Sequence, residues 1–148
     1  AAERIFESQA CCNRVNISEY IYVTRKDSVR SASNESDICS ALQDRGFDVV
    51  DCGRMSLEEQ RKTFCNARVV IGLHGAGLTN LVHIQTHSCS VLEIFPEDLI
   101  HPCFAYLCEE LGLEYSAHVS TPISASDDGT TRVDVDAMLS WLNALGTF

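Results

Sequence analysis

The stretch from Arg68 to Asn80 constrains the fold more than any other part of the chain. It opens with a nearly unbroken apolar run, Val69 to Leu73, of the kind found in a strand that is covered on both faces of a parallel sheet. After two glycines, the apolar residues Leu78, Leu81 and Val82 return at helical spacing. We therefore predict a strand, a tight turn and a helix whose apolar face packs back on the sheet.

The turn itself, residues 74 to 78, is the predicted binding site. Gly75 and Gly77 carry no side chain, which permits positive φ values and lets a ligand approach the backbone. The first amides of a helix lack intrahelical acceptors, and the helix dipole favours anions there. His74 can donate a hydrogen bond to a phosphate oxygen. Two alternatives remain open: glycines that serve only to turn the chain, and a histidine that caps the turn.

Composition narrows the function classes. A chain of 148 residues with 45% hydrophobic and 22% charged residues is typical of one globular domain. The net charge of −10 argues against non-specific binding to nucleic acid or to an anionic membrane. No stretch approaches the roughly 18 apolar residues of a membrane helix, and no signal-peptide core is visible. We expect either a cytosolic chain or targeting segments that lie outside it.

The cysteine pattern indicates core residues and no zinc site. The eight cysteines contain no CxxC pair and no ligand-like grouping with histidine. Cys39, Cys65 and Cys108 fall within apolar helical patterns, whereas Cys11 and Cys12 do not. Disulfides remain open if the compartment is oxidising.

The rest of the chain alternates between strands and helices. Residues 1–16 predict a short amphipathic helix and a connector, and residues 17–148 a single domain. The predicted strands are 17–24, 47–50, 69–73, 90–95 and 114–119; helices are predicted after Asn34 and Ser56, after the glycine turn, from Pro102 to Gly112 and from Val135 to Leu145, with a surface loop over 120–133.

Two helix ends carry recognisable signals. Ser56 and Glu59 form a capping box before a helix that we expect to bury Leu57 and Phe64. Gly46 suits a left-handed position after the helix that Asn34 begins.

This alternation predicts an α/β fold with a doubly wound parallel sheet in the order 2-1-3-4-5. Strands one and three then lie side by side where the winding reverses, and ligands bind beyond their carboxyl ends. Arg25 ends strand one and opens a cluster with Lys26 and Arg30, although such a cluster can also be a solvated turn. We expect Arg25 to face His74, so that a guanidinium and helix amides meet a diphosphate.

Glu93 interrupts the apolar strand 90–95 near its carboxyl end. A buried, unpaired carboxylate is costly, so the residue needs an explanation. One hypothesis is that it accepts hydrogen bonds from the vicinal hydroxyls of a ribose. The alternatives are an exposed strand end and a structural ion pair.

Several segments also carry a family resemblance. They are Tyr22–Ser28 with Arg30, Asn34–Glu35, Ser56–Gln60, Gly72–Asn80 and Val91–Pro96. In order and at similar spacing they resemble the C-terminal half of family 61 glycosyltransferases, over roughly residues 17 to 119. The family includes xylosyltransferases, N-acetylglucosaminyltransferases and microbial members linked to capsular polysaccharide synthesis. The resemblance implies a GT-B architecture, in which the C-terminal Rossmann-like domain binds the nucleotide-sugar donor without a metal.

The resemblance also implies roles for single residues. Arg25 would pair with the donor diphosphate, the turn at His74 would line the phosphate and sugar, and Glu93 would approach the ribose or base. One departure is that Gln85–Cys89 stands where the family usually has a Pro-Gly loop. Ser56 and Glu59 are explained equally well by their capping box. The whole donor-binding set is Arg25, Lys26, Arg30, Ser56, Glu59, His74, Gly75, Ala76, Gly77, Asn80 and Glu93.

The leading hypothesis is the UDP-sugar-binding half of an inverting glycosyltransferase that needs no cofactor and no metal. A GT-B enzyme needs an N-terminal domain for its glycan or protein acceptor and for its base, and 148 residues leave no room for one. We therefore expect a fragment or a stand-alone donor domain, cytoplasmic if microbial and in the ER or Golgi lumen if eukaryotic. The alternatives are a non-catalytic nucleotide-binding module and a flavodoxin-like domain that binds another phosphate or a protein.

Overall fold

The fold is a five-stranded parallel sheet in a computed structural model that describes residues 18–25, 31–96, 99–120 and 131–146. The strand order is β2-β1-β3-β4-β5, and every neighbouring pair is parallel. The predicted fold class and strand order are therefore confirmed. The strands are β1 (Tyr20–Val23), β2 (Asp48–Val50), β3 (Val69–Leu73), β4 (Ser90–Phe95) and β5 (Glu114–Val119).

Helices cover both faces of the sheet. The α-helices are α1 (Glu35–Gln43), α2 (Leu57–Phe64), α3 (Cys103–Leu111) and α4 (Val135–Ala144). Two 3-10 helices follow β2 and β3, at Cys52–Arg54 and Ala76–His83; the second is called the turn helix below. Apolar residues of α1 and α4 pack on one face, and those of α2, the turn helix and α3 pack on the other. This double winding places the reversal between β1 and β3.

The local signals act largely as predicted. Ser56 and Glu59 form the capping box of α2: the Ser56 amide donates to Glu59 Oε2 at 2.7 Å, and the Glu59 amide donates to Ser56 Oγ at 3.3 Å. Gly46 follows α1 with a φ of +81°, a left-handed conformation that favours glycine. The boundaries of β4 and β5 coincide with the predicted ones, whereas β1 and β2 are shorter.

Leu57 corrects one prediction about the core. It is 79% exposed, although the helical spacing places it on the same face as the fully buried Phe64. Leu57 is the first residue of α2, and seven residues at a rise of 1.5 Å put it about 10 Å from Phe64 along the helix. The apolar stripe thus runs past the end of the packed layer.

The surface loop predicted over 120–133 lies mostly outside the described residues. Of its described ends, Ser120 and Val133 are each 1% exposed, whereas Arg132 is exposed. Asn34 holds Val133: its Nδ2 donates to the Val133 carbonyl at 2.9 Å, and the Val133 amide donates to Asn34 Oδ1 at 3.0 Å. Asn34 stands at the N-cap of α1, but its side chain makes no capping bond because it binds Val133. The helix predicted for residues 1–16 lies outside the described residues.

Candidate functional site

Arg25 and the glycine turn meet at the carboxyl ends of two adjacent strands. Arg25 lies two residues after β1, the turn follows β3, and Val23 pairs with Gly72 in the register. Arg25 Nη1 donates a hydrogen bond to the His74 carbonyl. A Cβ atom added at Gly75 would overlap the Arg25 guanidinium. The predicted closeness of Arg25 and the turn is therefore confirmed.

At both glycines an added side chain would collide with a neighbour, which is a steric reason for them that the sequence did not predict. Gly75 has a φ of 164°, extended backbone that other residues also adopt, so the expectation of positive φ is wrong. At Gly77 an added Cβ would lie 2.7 Å from Val23 Cγ1. The turn therefore approaches β1 so closely that side chains at these positions would collide with Val23 and Arg25.

The turn helix is a 3-10 helix, which reduces the number of amides available to an anion. The Leu78 amide donates to the Gly75 carbonyl at 3.0 Å, and the His74 amide donates to Ile94 of β4 at 2.8 Å. The amides of residues 75–77 are the ones to which the helix supplies no acceptor. Asn80 Nδ2 donates to the Gly77 carbonyl at 3.1 Å, and Asn80 is only 7% exposed. Asn80 thus holds the turn in shape.

A cavity of 230 Å³ lies beside this turn, at the carboxyl ends of β1, β2 and β3. Arg25 and Gly77 line one side, and Asp51 and Cys52 line another. We call this cavity the crevice. Ligand pockets that enclose most of a small molecule measure about 300–1,000 Å³, so the crevice can hold only part of a nucleotide-sugar.

Glu93 lies on the other side of the turn and is fully buried. Its Oε1 is 2.5 Å from His74 Nδ1, and its Oε2 accepts a hydrogen bond from the Tyr115 hydroxyl at 2.6 Å. The alternative of an exposed strand end is wrong. Both carboxylate oxygens bond to protein groups, so the structure favours support of His74 over direct contact with a ribose.

Aromatic packing fixes the His74 ring in this position. The ring stacks on Phe95 with 5.1 Å between centroids and meets Phe104 edge-on at 5.6 Å. Burial, and then the adjacent Glu93, raises the pKa of the Tyr115 phenol. Burial, and then Glu93, also raises the pKa of the Cys108 thiol, to about 11.

A second buried glutamate, which the sequence analysis did not interpret, supports β1. Glu35 is 9% exposed and lies in the first turn of α1. Its Oε2 accepts from the Tyr22 hydroxyl at 2.9 Å, and its Oε1 accepts from Thr24 Oγ1 at 2.5 Å. Burial, and then Glu35, raises the pKa of the Tyr22 phenol. The contact joins α1 to the end of β1.

Of the remaining predicted donor-binding residues, Ser56 and Glu59 are exposed and do not line the crevice. Their hydrogen bonds are those of the capping box. The structure thus supports the alternative explanation for this pair. Lys26 and Arg30 lie outside the described residues.

Comparison with known proteins assigns the chain to a family. The family model described as Glycosyltransferase 61 matches residues 2–91, which is more than half of the chain. The chain belongs to glycosyltransferase family 61. The match ends before Glu93 and Tyr115, and it begins inside the segment 1–16, which the sequence predicts to be a short helix and a connector.

Two curated relatives are similar to this family 61 chain. Beta-1,2-xylosyltransferase RCN11 of Oryza sativa subsp. japonica is 44% identical over 93 residues, which cover 57% of this chain and 17% of that protein. Beta-1,2-xylosyltransferase of Arabidopsis thaliana is 38% identical over 63 residues, which cover 43% of this chain and 12% of that protein. The chain thus spans less than a fifth of the length of either relative.

The described part of the chain contains no metal-binding cluster and no membrane-spanning helix. No group of three or more His, Cys, Asp or Glu side chains in the described ranges could hold a metal ion. None of the helices in that part of the chain is long and apolar enough to cross a membrane.

Proposed function

We propose that this family 61 chain binds the nucleoside diphosphate of a UDP-sugar and supplies the donor site of a larger glycosyltransferase. The observation that carries the proposal is the contact of Arg25 with the glycine turn, at the switch point of the sheet. Ligands of doubly wound sheets bind at this point. Arg25 brings a cation and a planar set of donors, and residues 75–77 bring amides.

The same groups would also promote departure of the nucleotide. Negative charge develops on the diphosphate as the bond to the sugar breaks. Arg25 and the amides are already in place, so they would stabilise that charge without reorganisation. These donors, together with the guanidinium charge of Arg25, support donor binding without a metal ion.

Xylose is the first sugar to test, because both curated relatives are named xylosyltransferases. The acceptor, a glycan or a protein, and the base that deprotonates its hydroxyl would come from the remainder of a longer protein. This chain would then bind the donor but transfer sugar only as part of that protein.

Calorimetry with UDP and UDP-xylose on the 148-residue chain tests the proposal. We expect saturable UDP binding that persists in EDTA, and a loss of about 10- to 100-fold in affinity in Arg25→Ala. Arg68→Ala is the matched control, because Arg68 precedes β3 at the opposite end of the sheet and lies 3.5 Å from Glu19. Equal loss in both variants, or no UDP binding by the unmodified chain, would refute the proposal.

Two further experiments separate the alternatives. Binding of FMN in preference to UDP would indicate a flavodoxin-like domain. Binding of UDP together with sugar transfer by the complete protein separates a donor domain from a non-catalytic nucleotide-binding module.

A further inference from the structure

Three side chains on neighbouring strands form a continuous hydrogen-bonded series that ends at the proposed donor site. Tyr115 lies on β5, Glu93 on β4, and His74 directly after β3. Tyr115 donates to one oxygen of Glu93, and His74 Nδ1 contacts the other. The backbone carbonyl of the same His74 accepts from Arg25, so the far end of the series adjoins the Arg25 side of the proposed diphosphate site, although the His74 ring itself does not line the crevice.

The His74 ring turns one nitrogen inward and one outward. Its side chain is 11% exposed, and Nδ1 is taken by Glu93. Within the described ranges, no buried side-chain nitrogen or oxygen lacks a hydrogen-bond partner. Nε2, to which no described residue bonds, is therefore the ring nitrogen at the solvent-exposed edge.

We propose that Tyr115 and Glu93 are positioning residues that hold a proton on His74 Nδ1, so that Nε2 meets the donor diphosphate as part of a positively charged ring. This inference rests on the proposed function. A neutral imidazole has only one N–H, and here Nδ1 uses it for Glu93. Nε2 can therefore donate to a phosphate oxygen only after the ring gains a second proton.

The Tyr115 hydroxyl decides where that second proton goes. Its hydrogen bond stabilises the ionised form of Glu93. With Glu93 ionised, the second proton enters the ring at Nε2 and the ring becomes cationic. Without the hydroxyl, the buried carboxylate is less stable as an anion, so in the UDP complex Glu93 keeps a proton and its O–H donates a hydrogen bond to the bare Nδ1. The ring then carries its single proton on Nε2 and is neutral.

The groups around the ring are consistent with this assignment. Burial raises the pKa of the Tyr115 phenol, so it remains a donor through the physiological range. Among the residues that the structure describes, the charged and titratable groups that face this series are Arg25 after β1, Glu93, Tyr115, His101 with its ring 6.3 Å from that of His74, and Cys103 and Cys108 on α3. Glu93 is the anion that adjoins the ring, and Arg25 reaches the backbone carbonyl.

The test combines ring-nitrogen NMR of histidine-labelled chain with calorimetry over a pH series that spans neutrality. His74 is identified among the five histidines by its absence in His74→Gln. We expect Nδ1 of the free chain to be protonated, and UDP to add a proton to Nε2. UDP affinity should accordingly fall as pH rises. A free chain with Nε2 protonated and Nδ1 bare would overturn the proposal without any variant.

Tyr115→Phe and Tyr22→Phe form a matched pair, because each removes one hydroxyl from one buried glutamate. Tyr115→Phe should leave Nδ1 unprotonated in the UDP complex and weaken UDP binding about tenfold, since a neutral donor is weaker than a charged one. Tyr22→Phe should change neither. An unchanged His74 ring in Tyr115→Phe disproves the positioning role even if UDP binds. If UDP does not bind at all, the proposed function fails, and the ring state of the free chain still tests the positioning.

Discussion

Glu35 and Glu93 are buried carboxylates of similar design on opposite sides of the central strand. Each accepts a hydrogen bond from the hydroxyl of a strand tyrosine. The second partner differs: Glu35 holds the neutral hydroxyl of Thr24, whereas Glu93 holds the ionisable ring of His74. Of the two networks, only that of Glu93 therefore includes a histidine, the side-chain type that can gain or lose a proton near neutral pH. The comparison shows that burial and a tyrosine partner do not by themselves distinguish the two glutamates. The second partner of each carboxylate does.

The largest expected difference concerns stability. Glu93→Ala leaves His74 Nδ1 and the Tyr115 hydroxyl without partners around a fully buried position, and each buried group left without a partner costs about 1–3 kcal/mol of unfolding free energy. Glu35→Ala should cost less, because Glu35 is itself 9% exposed and Thr24 is only half-buried, so water can replace part of the lost hydrogen bonding. Urea denaturation measures both. Equal losses would remove the distinction between the two networks.

The glycines between the two networks give the next effect. Gly77→Ala forces a methyl group to 2.7 Å from Val23 Cγ1, and such overpacking costs about 1–3 kcal/mol of unfolding free energy. Gly75→Ala meets only the movable end of Arg25, so we expect little loss of stability but at least tenfold weaker UDP binding. Thermal unfolding and calorimetry on the same two variants separate these effects. A stable Gly77→Ala with an intact UDP site would contradict the steric argument.

The loss of stability at alkaline pH tests the core layer on the Glu93 side of the sheet, which contains two buried thiols. Burial raises the pKa of Cys89 to about 12 and that of Cys108 to about 11, from an ordinary value of 9.0. Both thiols are buried in the core layer that includes α3. The folded chain holds these protons more tightly than the unfolded chain. The stabilisation is therefore complete below about pH 9 and is lost as pH rises toward 11 and 12.

Urea midpoints across this pH range should show a shallower alkaline decline in the double variant Cys89→Ala, Cys108→Ala than in the unmodified chain. Cys103→Ala, which removes an exposed thiol, is the control. A decline of the same slope in all three chains would show that the buried thiols do not cause it.

The smallest effect is expected away from both networks. Ser56→Ala removes one half of the capping box of α2, which costs about 1 kcal/mol. UDP affinity should not change, because Ser56 does not line the crevice. Denaturation and calorimetry together check this variant. Weaker UDP binding would indicate that Ser56 and Glu59 contribute to the donor site, as the family resemblance implies.

The elements of the fold were readable from the sequence because their signals are local. The apolar run of β3, the capping box at Ser56 and the glycine after α1 each act within a few residues. The wrong prediction for Leu57 shows the limit of such local signals. Periodicity gives the face on which a side chain lies, but not whether the neighbouring layer extends far enough to cover it.

The sequence by itself determined the parallel sheet, the order of its strands and hence the meeting of Arg25 with the turn at His74. Alternating strands and helices with right-handed crossovers allow few topologies. The order of elements along the chain therefore predicts which strand ends lie next to each other. Only the tertiary structure decided that the glycines provide space and that Glu93 serves His74 and Tyr115. Those contacts join residues 19 and 22 positions apart, and the geometry that forms them exists only once the strands have paired.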